Sequence, residues 1–240
     1  MPPTTPSRRN EVIDWYASLP ITTRFLLSAM VTTTTVSSLG FVNPSSLILY
    51  WPDVKYRLQI WRLVSCFFVN RLSLDFAFNA YFFYTNSLQL ETHVFQSQPA
   101  DYVFFHLFTG GLQLIAASVL KLYVLSDGIL LSTIYLLSQH FRDSPVWFMF
   151  GIRLKALYLP WAIIAQKFVM SGGDIPKSSI AGLLSAHLYY YLTTIYPSQG
   201  GRRFLQTPDF IKQLFVTRPR NPATNVFGRH TWGSGRRLDS

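Results

Sequence analysis

The chain has 240 residues, of which 49% are hydrophobic, 16% aromatic and only 13% charged, with a formal net charge of +10. Soluble domains carry about 25% charged residues, so this composition argues against a soluble globule and for lipid as the solvent. The positive charge comes with no recognition-helix or aromatic-platform pattern, which argues against nucleic acid as a partner and for the cytosolic flanks of membrane helices.

A transmembrane helix needs about 20 apolar residues, and six such stretches follow one another. Residues 1–18 form a polar, cytosolic N-terminal segment without the apolar region of a signal peptide. The first span, residues 19–42, is therefore expected to act as an uncleaved signal anchor. It is weak, with Thr32, Thr33, Thr34 and Thr35 in its middle. Their hydroxyls can bond back to helix carbonyls, which makes them tolerable in lipid.

Residues 43–75 read neither as a span nor as a polar loop. Leu47, Ile48, Leu49, Tyr50 and Trp51 precede Pro52, and Ile60, Trp61, Leu63 and Val64 follow among Lys55, Arg57 and Arg62. Such a mixture suits the bilayer interface, and the segment is predicted to form short helices lying in the outer leaflet. Within it, Trp61 and Arg62 form a pair whose guanidinium can stack on the ring and bond loop carbonyls.

The second span, residues 76–95, carries Asn79, which in lipid is expected to find a partner on another helix. The third and fourth spans cover residues 102–122 and 125–141, divided only by Lys121, Asp127 and Gly128. The fifth covers residues 146–170 and the sixth residues 178–196. In the sixth, Gly182 and Ala186 form a small-x-x-x-small seam that lets two helix backbones approach. His187, Tyr189 and Tyr190 are predicted to face the bundle interior, because polar groups are costly in lipid.

Residues 197–240 form a basic tail containing Arg202, Arg203, Lys212, Arg218, Arg220, Arg229, Arg236 and Arg237. It carries Trp232 and Leu238 as apolar anchors, with Gly233 and Gly235 between them; exposed anchors of this kind imply a partner with pockets. An even number of spans puts both ends on one side. The tail, with Arg8, Arg9 and Arg24, makes that side cytosolic. Lys55, Arg57, Arg62 and Arg71 in the first loop vote the other way. Cys66 is the only cysteine, so no intrachain disulfide forms.

Taken in order, these residues resemble the Derlin family, the rhomboid-like pseudoproteases of the endoplasmic reticulum, over almost the whole chain. Residues 19–24 are similar to the family's entry to its first helix, residues 59–63 to its Trp-Arg loop, and Phe78, Asn79, Leu90 and Glu91 to its second helix. Leu159, Pro160 and Trp161 resemble its fifth helix and residues 182–190 its sixth. Gly200, Gly201, Thr207, Pro208 and residues 212–215 resemble its proximal tail. Residues 232–238 resemble its terminal box for a cytosolic AAA+ segregase, the valosin-containing protein. Two features depart from the pattern: Ala186 stands where the family has a second glycine, and the linker before the box is basic.

The resemblance implies an all-α, polytopic membrane protein: a six-helix rhomboid-like bundle over residues 19–196 with an interfacial first loop. It implies a multi-pass protein of the endoplasmic reticulum membrane with both termini cytosolic. It also implies a non-enzymatic component of endoplasmic-reticulum-associated degradation, assisting recognition and retrotranslocation of misfolded clients beside a membrane-embedded ubiquitin ligase complex. The segregase would dock on Trp232, Gly233, Gly235, Arg237 and Leu238. Membrane lipid is an implied partner, and homo- or hetero-oligomers stay open.

An active rhomboid-type intramembrane protease needs a Ser nucleophile in a G-x-S-G loop and a His base within hydrogen-bond reach. No G-x-S-G occurs, and Ser126 and Ser132 lack the glycines that shape an oxyanion site. The sixth-span position of the rhomboid His is Ser179 here, and the second-span position four residues before Asn79 is Asp75. No catalytic, cofactor-binding or metal-ligating residue is assigned. A small-solute transporter would show paired membrane acids or broken helices in matched halves, whereas Asp127 and Asp143 sit at span ends.

Overall fold

A computed structural model of the chain describes residues 8–96, 98–148, 151–200 and 205–215. Helix α1 (Arg8–Ser18) leads into α2 (Ile21–Ser38). Helix α2 stops at Gly40, whose φ of +80° lets the amides of Gly40 and Phe41 bond back to the Ser37 and Val36 carbonyls. Three short helices follow: α3 (Pro44–Leu47), α4 (Trp51–Arg57) and α5 (Arg62–Ser65). The Asn43 side chain accepts from the Ser45 amide and Pro44 opens the turn, the usual chemistry of a helix start.

Ser73 caps α6 (Leu74–Gln89), which runs on through a π turn, Leu90–Val94. Next come α7 (Pro99–Leu120) and α8 (Ser126–His140), separated where Lys121 takes a left-handed conformation. A two-stranded antiparallel hairpin, β1 (Pro145–Trp147) and β2 (Arg153–Lys155), pairs Val146 with Leu154. Helix α9 (Leu159–Met170), then α10 (Lys177–Tyr190) with a second π turn at Tyr191–Ile195, complete the bundle. Two short helices, α11 (Tyr196–Ser198) and α12 (Asp209–Phe215), follow.

Helix α8 is the axis. From Gly128 to Ser138 its side chains are apolar or hydroxyl-bearing on every side, and a helix segment of that kind is buried all round. Its residues from Gly128 to Ser138 are all buried. Helices α6, α7, α9 and α10 surround it, and α2 packs outside against α6 and α7. The α8–α10 contact is backbone on backbone: a Cβ added at Gly182 would collide with the carbonyl and Cα of Gly128. Ala186, fully buried, continues the seam. Two glycines placed opposite each other remove the side chains that would otherwise hold the axes apart.

The structure corrects the fifth span. In this region Pro145–Trp147 and Arg153–Lys155 pair as the hairpin, Ala156–Tyr158 is a 3-10 turn, and α-helix is confined to Leu159–Met170 among the described residues. Charged Arg153 and Lys155 alternate with Leu154 here, a period-two pattern that suits strand rather than helix. Among the described residues one helix, Pro99–Leu120, is long and apolar enough to cross a membrane by length and composition alone. The chain beyond the bundle also packs on it. Trp15 on α1 donates to the Tyr84 hydroxyl at 3.2 Å, and α12 lies against α7 with Ile211 buried.

The two glycine environments make opposite predictions. Gly182→Ala should destabilise the protein by roughly 1–3 kcal/mol through overpacking. Gly111 on α7 has open space where a Cβ would sit, so Gly111→Ala should leave stability unchanged or raise it by up to about 1 kcal/mol. Thermal unfolding in mild detergent reads both; equal midpoints would refute the close α8–α10 contact.

Candidate functional site

The first loop is built around one guanidinium. Arg62 is 5% exposed. Its Nε donates to Gln59 Oε1 at 2.6 Å, and its Nη1 donates to the carbonyls of Ser45 and Ile48 at 2.6 and 2.8 Å. Its Nη2 pairs with Asp53 at 3.0 Å. One side chain thus ties α3, α4 and α5 together, as a planar fork of donors can. Ser65 adds a bond to the Leu47 carbonyl at 2.7 Å. Trp61 turns the other way, 56% exposed, and its indole N–H reaches the Ser46 carbonyl at 3.4 Å. The expected ring stacking is therefore corrected: the guanidinium points into the loop and the indole out of it. The loop in turn is fixed to the connector before α8, with Leu49 N–H on the Tyr123 carbonyl and Leu125 N–H on the Cys66 carbonyl.

A second polar centre lies where α2 begins. Pro20 stands at the N-cap and contributes no side-chain bond, so the orphan amides of the first turn need an outside acceptor. Glu91, 1% exposed in the π turn after α6, supplies it. Its carboxylate accepts from Thr22 N–H at 3.1 Å, Thr23 N–H at 2.7 Å and Thr23 Oγ1 at 2.7 Å. Hydroxyl contacts carry the network onward, Thr23 to Ser87 at 2.9 Å and Ser87 to Tyr102 at 2.6 Å, so it joins α2, α6 and α7.

A third centre was not visible in the sequence. Lys167 near the end of α9, its side chain 10% exposed, pairs with Asp127 at the start of α8 at 2.7 Å and lies 3.9 Å from Asp75 at the start of α6. Two acids that looked isolated thus meet on one lysine. Both line an open polar cavity of about 1030 Å³ beneath the first loop, with Ser37, Ser45, Asn70 and Arg71. Spacing could not reveal this, because the three partners lie on separate helices.

The remaining expected residues are placed as follows. Asn79 donates to Asp75 at 3.1 Å within its own helix, not to another helix. The Asp75 carboxylate one turn earlier is the nearer acceptor. Tyr189 and Tyr190 are buried, Tyr189 against Phe105 at 5.0 Å. His187 is exposed instead of facing inward, and its Nδ1 shares a hydrogen bond with the Tyr135 hydroxyl. Ala186, Tyr189 and Tyr190 set the inward face, and one further residue along a helix rotates by about 100°, which carries His187 away from it. Ser132 bonds the Ile129 carbonyl in its own helix at 2.8 Å, and Ser185 bonds the Gly182 carbonyl at 2.7 Å. Trp232, Gly233, Gly235, Arg237 and Leu238 lie outside the described residues.

Fold and polar centres together define an all-α bundle with one helix, Pro99–Leu120, long and apolar enough to cross a membrane, and a first loop tied together by Arg62. A profile of the Der1-like family matches residues 19–209. Derlin-1 of Homo sapiens is 35% identical over 250 residues, covering 95% of this chain and 98% of that protein. Derlin-2 of Oryza sativa subsp. japonica is 32% identical over 236 residues (91% and 94%), and Derlin-1 of Drosophila melanogaster 33% over 205 residues (83% and 82%). The chain belongs to the Der1-like family. That membership supports a role in degradation of the endoplasmic-reticulum-associated type.

Cys66 reports on the loop. It is fully buried, and burial pushes its thiol up to about 12, so it stays protonated and poorly nucleophilic at neutral pH. Arg62→Ala strips donors from Asp53 and two carbonyls, at a cost of roughly 3 kcal/mol. Maleimide labelling of Cys66 should then rise at least about tenfold, and Arg62→Lys should restore protection only in part, because an ammonium cannot span four acceptors. Unchanged labelling in Arg62→Ala would show that the loop holds without the guanidinium.

Proposed function

We propose that this chain is a non-enzymatic component of endoplasmic-reticulum-associated degradation. In this reading it sits in the endoplasmic reticulum membrane with both termini cytosolic, receives misfolded clients beside a membrane-embedded ubiquitin ligase, and recruits the AAA+ segregase through residues 232–238. The observation that carries the reading is the length of α9. With the 3-10 turn that leads into it, the helical run Ala156–Met170 rises about 24 Å at 1.5–2 Å per residue, against a hydrocarbon core of about 30 Å. Such mismatch thins the surrounding bilayer. A thinner bilayer shortens the path over which a client's polar backbone goes unsatisfied. The polar cavity beneath the first loop gives such a backbone a wetted place to enter.

Two further features support the reading. Asp53 pairs with both Arg57 and Arg62, and its single negative charge offsets one of the four basic residues that vote against a cytosolic tail. His187 is engaged by Tyr135 rather than by a serine, which favours a non-enzymatic role over an intramembrane protease.

Affinity purification from mild detergent tests the assembly: the segregase and a ubiquitin ligase should co-purify, and recovery of neither would sink the proposal. For the tail, burying one large apolar side chain contributes roughly 1.5–3 kcal/mol. Trp232→Ala in a peptide of residues 225–240 should therefore weaken binding to the segregase amino-terminal domain by roughly 10- to 100-fold. Equal affinities would leave the box without a role. An epitope placed after Ser240 should be removed by protease added to sealed microsomes; its protection would reverse the topology.

A further inference from the structure

Helix α12 presents three faces in seven residues. Ile211 is buried and Phe215, one turn on, is half-buried, so this edge seats the helix against α7. Asp209, Lys212 and Gln213 are polar and exposed, with Lys212 lying 3.6 Å from Asp209. Phe210 and Leu214, also one turn apart, make the third face and are 65% and 77% exposed. The bundle thus covers only part of the apolar surface of α12. A helix meant to lie in water would carry polar residues on the rest.

The surroundings of α12 indicate what covers that face. The helix rests on α7, which is long and apolar enough to cross a membrane and leaves Leu107, Ile115 and Val119 exposed. Successive helical residues rotate by about 100°, which sets the Phe210 and Leu214 face about 100° from the face seated on α7. A helix held sideways against a membrane span can therefore turn that face down among acyl chains while Asp209, Lys212 and Gln213 stay in water. This is the arrangement of an interfacial helix. The charge around it selects the lipid. Residues 199–220 hold Arg202, Arg203, Lys212, Arg218 and Arg220 against a single acid, Asp209. Basic residues clustered just beyond a membrane helix are attracted to anionic headgroups, each strengthening the attachment about fivefold. Zwitterionic headgroups provide no such gain.

We propose that α12 is an interfacial anchor for anionic phospholipid. Phe210 and Leu214 insert among the acyl chains, and the basic residues beside them meet the negative headgroups. That the leaflet is the cytosolic one rests on the topology proposed above; the choice of lipid does not.

The test uses the full chain in vesicles of phosphatidylcholine alone, or of equal parts phosphatidylcholine and phosphatidylserine. Phe210→Cys, Gln213→Cys and Leu214→Cys each carry a nitroxide label in turn. Cys66 is fully buried, and the unaltered chain is the blank. In the mixed vesicles, labels at 210 and 214 should collide with oxygen and be shielded from a water-soluble nickel chelate, while the label at 213 meets the chelate. Shielding should be weaker in phosphatidylcholine alone. Arg218→Gln combined with Arg220→Gln leaves α12 itself unaltered and should lower the ratio of shielded to exposed label at 214 about tenfold or more in the mixed vesicles. Labels at 210 and 214 that meet the chelate as freely as the label at 213 overturn the proposal. So do labels shielded from oxygen and chelate alike, which would put a protein surface there. Shielding that is equal in the two kinds of vesicle and unmoved by the paired arginine changes overturns the anionic preference. Both leaflets of these vesicles have the same composition, so a reversed topology would leave the results unchanged and would show only in the microsome assay.

Discussion

The Glu91 carboxylate accepts two amides and a hydroxyl from the first turn of α2, and none of the four groups is open to solvent. A helix that starts inside a membrane protein faces a simple constraint: its first amides have no partner in the helix and no water nearby. Pro20 has no side chain able to cap them. An acid from a distant helix does so, and the negative charge is also favoured by the positive end of the helix dipole. The π turn matters here, because it holds Glu91 where α6 ends and α2 begins. Through Thr23, Ser87 and Tyr102 the same carboxylate sets how α2, α6 and α7 meet.

The other charged centres solve the same problem with opposite chemistry. Arg62 donates to two carbonyls and an acid that the short helices of the first loop would otherwise leave unmatched. Lys167 joins Asp75 and Asp127, which lie at the starts of α6 and α8. All three centres sit near the ends of helices. Packing holds the rest: Gly128 meets Gly182 in the first turns of α8 and α10, and beyond that contact the buried apolar face of α8 lies between its neighbours. Polar order at the ends and close packing between them allow a helix as short as α9 to stay in place.

That division has a functional consequence. A bundle whose shortest helix falls short of the bilayer's thickness distorts the lipid beside it, and a polar cavity under a stapled loop lies at one end of the same bundle.

Much of the fold was legible because hydropathy is local. Runs of apolar residues placed α2, α6, α7, α8 and α10 close to their observed bounds, and the mixture of Trp, Tyr and cations marked the three short helices of the loop. Gly182 and Ala186 stood out by spacing, but their partner Gly128 did not, because a lone glycine after Asp127 reads as a turn. The pairing of Pro145–Trp147 with Arg153–Lys155 was hidden because each strand is only three residues long. The side-chain partners were the least legible. Glu91 meets Thr23 across 68 residues and Lys167 meets Asp127 across 40, and no periodicity reports on such pairs. His187 and Asn79 show the same limit in reverse, since each had a polar side chain in an apolar run and each found a different environment from the one expected. The sequence by itself determined that this chain belongs in lipid, roughly where its helices run and that its first loop breaks into short helices, because burial preference is a property of each segment. Only the tertiary structure decided which buried charge meets which helix end, because that depends on how segments far apart in the chain are brought together.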